Sequence, residues 1–367
     1  MNGETKNQLG EQIDITQKKI EKLIDNFTGE IALFLGAGAS VTADIPTMKE
    51  LSKKVLEKNK VIIDKQNYHN LIELIYRILC NENKGDITIE QIMEILYQLY
   101  YIKHNREKVL NINLEDLADI NEKDLLSAIR YIKKIIIEEC NKINKERLYT
   151  HFDFFKCVLT DSPRLSNLFV FTTNYDLLIE FVCDNLKYKC VDGFIGKIEE
   201  FEDFESFDEK VTGRIGKRKT IFLHKLHGSV NWIIKDGLLT KENRLLEALE
   251  NVVEYVLIYP TPSKFKEVLG YPYFELINRL TNFLDTTNHP KLLVIGYGFP
   301  DNHINDRIKT YLERNKHFTL FIVDPYIELE TLSSKLGTDC IKDNRIVHIK
   351  LSFEEFTKKF LEISKNE

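Results

Sequence analysis

Four short segments, far apart in the chain, carry residue types able to bind and process a phosphate-bearing ligand. Gly36-Ala37-Gly38-Ala39-Ser40 turns sharply and leaves its backbone N–H groups open to close approach, the requirement for cradling phosphate at a helix start. Thr172-Thr173-Asn174-Tyr175-Asp176 offers hydroxyl, amide and carboxylate groups, and Leu226-His227-Gly228-Ser229 offers an imidazole suited to proton transfer near neutral pH. Gly296-Tyr297-Gly298-Phe299 repeats the glycine theme and leads into Asp301, Asn302 and His303, with Asp324 further on. Each segment also has a structural reading. Thr172 to Asp176 can cap the helix that Leu177 opens, His227 can be a satisfied core histidine, and Asp301 can cap a helix over 303–314. A Walker-type P-loop is excluded, because no Gly-Lys-Ser/Thr follows the first turn.

These segments gain weight from what precedes them. Ile31 to Leu35, Leu168 to Thr172, Thr220 to Leu226, Leu292 to Ile295 and Phe318 to Val323 are short apolar runs, the pattern of strands covered on both faces. Val252 to Tyr259 and Arg345 to Leu351 read as further strands. Four of the runs deliver small or polar residues at their carboxyl ends, where open α/β sheets bind nucleotides. Between about 48 and 165 the pattern changes: apolar residues such as Leu71, Ile72, Leu74, Ile75, Ile78 and Leu79 recur at helical spacing. The expected fold is α/β, a doubly wound, mostly parallel Rossmann-like sheet with a large helical insertion over 48–165. An N-terminal helix lies within 1–28, and the whole of 1–367 serves one catalytic domain. Residues 193 to 219 read as a long surface excursion.

Composition narrows the classes. With 51 basic and 57 acidic residues the net charge is -6, which argues against a sequence-independent grip on nucleic acid. The local basic run Arg214, Lys217, Arg218 and Lys219 reads as a solvated loop. No apolar stretch approaches the length needed to span a bilayer, and the polar N-terminus does not read as a signal peptide. The six cysteines contain no Cys-x-x-Cys pair, so a disulfide framework and a zinc ribbon are both disfavoured; no metal is expected, and a cytoplasmic protein is.

In order and spacing, Gly36 to Ser40 with Ile45-Pro46, then Thr173 to Asp176, then Leu226 to Ser229, resemble the signature of the sirtuin family. The likeness is nearest to the bacterial sirtuin-like branch of anti-phage defence systems, which destroys NAD, and Gly296-Tyr297-Gly298 is similar to its later glycine segment. Two departures stand out. The paired cysteines of sirtuin deacylases are missing, and Asp44-Ile45-Pro46-Thr47 replaces the family's Gly-Ile-Pro-Asp-Phe-Arg stretch.

The resemblance implies NAD as substrate and an NAD+ glycohydrolase that releases nicotinamide and ADP-ribose, depleting NAD in defence against phage. An NAD-dependent deacylase and a non-catalytic NAD- or ADP-ribose-sensing module are the alternatives. It implies that Asn174 orients the ribose or an attacking water, and that His227 binds a ribose hydroxyl or acts as general base. Gly36, Ala37, Gly38 and Ser40 would cradle the diphosphate, Asp176 would orient a neighbour or the ribose, Gly296, Gly298 and Asp324 would line the adenosine side, and Thr173, Gly228 and Ser229 would complete the NAD-binding set. The implied partners are further copies of the chain and a HerA-type hexameric ATPase or a short Argonaute-type protein.

Overall fold

The computed structural model describes residues 3–27, 30–62, 66–82, 87–104, 120–161, 165–196, 200–208, 219–242, 255–257, 270–337 and 339–365. Arg214, Lys217, Arg218 and all of the 252–259 segment except 255–257 lie outside them.

An N-terminal helix α1 (Gly3–Asp25) leads into β1 (Ile31–Leu35), whose residues are all buried. Within β1 the side chains alternate between two cores, Ala32 and Phe34 facing one and Ile31, Leu33 and Leu35 the other, as expected of a strand covered on both sides. The chain then passes through a short turn of helix α2 (Ala37–Ser40) into α3 (Met48–Val61), α4 (Asn67–Glu82), α5 (Ile89–His104) and α6 (Glu122–Cys140), which pack on one another in a separate apolar cluster. α7 (Tyr149–Phe155) instead joins the core under the sheet, with Phe154 and Phe155 against Phe356 and Phe360.

The sheet itself follows: β2 (Asn167–Thr172), α8 (Leu178–Leu186), β3 (Lys189–Val191), β6 (Thr220–Lys225), β10 (Lys291–Ile295), β11 (Thr319–Val323) and β12 (Ile346–Ile349). It has seven strands in the order β12-β11-β10-β1-β2-β6-β3, all paired in parallel. α9 (Tyr273–Thr286), α10 (Asn302–Arg314) and α11 (Leu329–Leu336) cover one face, and α1, α7, α8 and α12 (Phe353–Ser364) cover the other. The expected doubly wound α/β architecture is therefore present. Strand order reverses between β1 and β10, and this is the crevice where such sheets take ligands.

Two expectations are corrected. The stretch from 193 is not a surface excursion throughout: β4 (Phe194–Ile195) and β5 (Glu200–Glu202) join β7 (Gly228–Lys235), β8 (Leu238–Lys241) and β9 (Tyr255–Leu257) in a second, antiparallel sheet of order β4-β5-β8-β7-β9. Phe204 and Phe207, just after β5, are buried in the main core beside Trp232, so apolar area holds this segment down. The strand expected over 252–259 pairs antiparallel with β7 as β9 and does not enter the parallel sheet. The β7–β8 hairpin turns on Asp236-Gly237, both at positive φ, the Asp-Gly pair favoured in two-residue hairpins. Among the described residues no helix is long and apolar enough to cross a membrane.

Candidate active site

At the switch point the carboxyl ends of β1 and β10 lie against each other. Gly36 N donates to Ile295 O (3.0 Å) and Gly38 N donates to Gly296 O (2.8 Å). The approach leaves no room for side chains: a Cβ on Gly36 would lie 2.5 Å from Tyr297 Cα, and one on Gly296, which holds φ +62°, would lie 2.3 Å from Ala39 N. Phe299, fully buried, takes φ 54° in the same turn, a conformation that costs free energy and persists only when surrounding packing imposes it. The two glycine segments thus lock together, and their amides at Gly36 and Gly38 serve that joint.

β2 delivers Asn174 to the other side of the first turn. Thr172 Oγ1 donates to Leu35 O (2.9 Å) and accepts from Asn174 N (3.0 Å), fixing the chain as it leaves the sheet. The Asn174 carboxamide then donates through Nδ2 to Gly36 O and to Ser40 Oγ, both at 2.9 Å. Ser40 Oγ in turn donates to Asp176 Oδ2 (2.7 Å), and Asp176 Oδ1 accepts from Leu178 N (3.1 Å) at the start of α8. Beneath them the buried Lys225 ammonium donates to Asp176 O and to Glu180 Oε1 (3.0 Å). Burial pushes the Asp176 carboxyl up from its ordinary value, while the Lys225 charge and the Ser40 hydroxyl pull it back. Asp176 is thus both a helix-opening acceptor and the anchor of a polar chain that ends on Asn174.

The second half of the site comes from the β6–β7 junction and from the start of α10. His227, buried between the two sheets, points Nε2 toward Asp301 Oδ1 at 3.8 Å. Asp301 is the N-cap residue of α10 by position, but its carboxylate does not cap the helix. Its Oδ2 accepts from Tyr297 Oη (3.0 Å), and burial together with the Asp301 charge raises that phenol well above its usual value, so it remains a donor. His303 lies beside them, its ring 5.8 Å from that of His227.

Between these two halves is a cavity of about 390 Å³, within the range of small-molecule sites. Its walls include Asn174, Asp176, His227 and Asp301, and the helical region closes it with Met48, Leu51, Glu90 and Cys140. Of the residues expected from sequence, Ala37, Ser40, Thr173, Asn174, Asp176, His227, Gly296 and Gly298 line this cavity. Gly36 and Gly38 shape it from behind. Gly228 and Ser229 begin β7, where Ser229 Oγ donates to Tyr175 O (3.3 Å), a structural bond. The Asp324 carboxylate accepts from Tyr326 N and Ile327 N, both at 2.8 Å, and so shapes its own loop. Tyr297 and the Lys225–Glu180 pair carried no sequence signal of their own, because the contacts that give them a role cross from one strand end to another.

Residues 168–348 match the sequence profile of the SIR2-like domain. The chain carries a SIR2-like domain. The match spans β2 to β12 and includes Asn174, His227, Gly296 and Asp301, and a SIR2-like domain implies NAD-related activity. No curated protein matches the chain.

Proposed function

We propose that the SIR2-like chain is an NAD+ glycohydrolase. The observation that carries this reading is the convergence of Asn174 and His227, 53 positions apart in sequence, on one cavity at the sheet's switch point. Cleavage of the nicotinamide–ribose bond passes through a transition state with positive charge on the ribose. Water oxygen bonds to C1′, the C1′–N electron pair returns to the nicotinamide ring, which leaves neutral, and the water gives up a proton. Both Nδ2 hydrogens of Asn174 are committed to Gly36 and Ser40, so its carboxamide oxygen is the group that accepts from the attacking water or from a ribose hydroxyl. His227 takes the proton, and the Asp301 carboxylate behind it steadies the imidazolium. Ala37, Ser40 and Gly298 offer the surface for the diphosphate and adenosine.

The absence of any Cys-x-x-Cys pair from the sequence supports NAD as the target over deacylation. An enzyme that destroys NAD must be restrained, and we place this protein in anti-phage defence, held in check by self-assembly and by a HerA-type ATPase or a short Argonaute-type partner. The helical region supports such contacts, since Leu74, Ile78 and Tyr101 are exposed on α4 and α5. Purified protein incubated with NAD, alone and with its partner, should release nicotinamide, and Asn174→Ala or His227→Ala should abolish release while circular dichroism is unchanged. Wild-type protein that never releases nicotinamide in either setting overturns the reading.

A further inference from the structure

The trio of His227, Asp301 and His303 has the composition of a metal site. All three are buried, and one ligand atom from each lies within 4.8 Å of the others. We propose that this trio binds a divalent transition-metal cation of the Zn2+ class. Two imidazole nitrogens and one carboxylate oxygen form a donor set suited to zinc, with an open fourth position in the manner of catalytic rather than structural sites. Zinc–nitrogen and zinc–oxygen bonds of about 2.1 Å place tetrahedral ligand atoms about 3.4 Å apart, close to the 3.8 Å between His227 Nε2 and Asp301 Oδ1.

Three features prepare the ligands. Asp301 and His303 sit at the start of α10, where Ile304 N donates to Asp301 O (3.0 Å) and fixes their backbone. Tyr297 holds Asp301 Oδ2, which turns Oδ1 toward the imidazole of His227, the outer-shell bond that metal-binding carboxylates commonly make. Asp301 is 2% exposed, and a cation beside a buried carboxylate offsets the cost of removing that charge from water. Because His227 and Asp301 line the cavity and His303 stands behind them, the open coordination position faces the cavity. The ion would take the lone pair of the His227 nitrogen. It therefore inhibits, a consequence that rests on the reading of His227 as base.

The binding test is independent of turnover. Full-length protein stripped with a chelator is titrated with Zn2+, with Mg2+ as the control, by calorimetry and by thermal melting. Wild type should bind one equivalent at this site and melt at higher temperature with Zn2+ but not Mg2+. Asp301→Asn and His303→Ala should each lose at least about tenfold in affinity, with circular dichroism showing the fold retained. If His303→Ala does not fold, the near-isosteric Asp301→Asn decides. Wild type that neither binds nor is stabilised by Zn2+, or Zn2+ binding unchanged in a folded variant, overturns the site. These outcomes stand whether or not the protein cleaves NAD, and Zn2+ inhibition of nicotinamide release that His303→Ala relieves would add the functional consequence.

Discussion

The side-chain amide of Asn174 donates to Gly36 O and to Ser40 Oγ at the same distance, 2.9 Å. One residue just beyond β2 therefore sets the shape of the turn that follows β1, and in return its own carboxamide is held in a single orientation. Asn174→Asp keeps the size of the side chain but removes both donors and sets a carboxylate against a carbonyl oxygen. Nicotinamide release is expected to fall by about 10²–10³-fold. The comparison with Asn174→Ala is informative, because a role in bulk packing alone would leave the aspartate variant active.

Asp301 is expected to act through His227. Asp301→Asn preserves the bond geometry available to Tyr297 but takes away the charge that favours an imidazolium. We expect kcat to fall about 10–100-fold with KM little altered, since the carboxylate matters most when His227 carries the proton. Steady-state kinetics on the variant would separate this from a loss of NAD binding, which would appear in KM.

Gly296 has two reasons to resist substitution. Alanine there would adopt φ +62° at a cost, and its Cβ would meet Ala39 N at 2.3 Å. Gly296→Ala should lose about 2 kcal/mol or more in denaturant unfolding, whereas the same change at the open position Gly298 should lose much less.

Acid should destabilise the fold well before the carboxylates titrate in bulk. Burial lowers His151 to about 4 and His224 to about 3, partly countered by backbone hydrogen bonds with Ala39 and Phe222 respectively. Both are neutral when folded and bind protons more readily when unfolded, so their contribution is complete above the unfolded value of about 6.5 and is lost as pH falls below it. Unfolding free energies measured from pH 7 to pH 4 should decline steadily, by a few kcal/mol in total. His151→Gln should flatten the decline, and a slope unchanged by that variant would assign the loss elsewhere.

Glu139 ties the helical region together. Burial would raise its carboxyl, but hydrogen bonds from Lys142, Lys54 and Lys58 outweigh burial and hold it at about 2. The stabilisation is present above the unfolded value near 4.5 and fades as pH drops toward 2. Because the three lysines are partly solvated, Glu139→Gln should cost on the order of 2 kcal/mol, and an unaltered melting temperature would show that the cluster contributes nothing net.

Most of the parallel sheet was readable from the chain because its longer strands are largely apolar runs that end in small or polar residues; Ile31 to Leu35 running into Gly36 is the plainest case, whereas the three-residue β3 left no such run. The second sheet was not. Its strands β4, β5 and β9 span two or three residues each, too short for alternation to register, and the aromatic anchors Phe204 and Phe207 sit among acidic residues that look solvated. Cavity-lining residues from strand ends were legible for the same reason as the sheet. The pairing of His227 with Asp301 was not, since 74 positions separate them and only the meeting of the β6–β7 junction with the start of α10 makes them neighbours.

The matched segment begins at Leu168, yet the strand at the middle of the sheet is β1, which hydrogen-bonds to β2 on one side and β10 on the other. Expressed without what precedes it, the matched segment would be two half-sheets with no spine, each presenting a bare apolar edge able to pair with another chain. The sheet's core is therefore built from segments on both sides of the point where the match begins. An expression plasmid trimmed to the recognisable domain would be expected to yield aggregate, because it lacks both that spine and the helices α1, α7 and α12 that cover one face of the sheet.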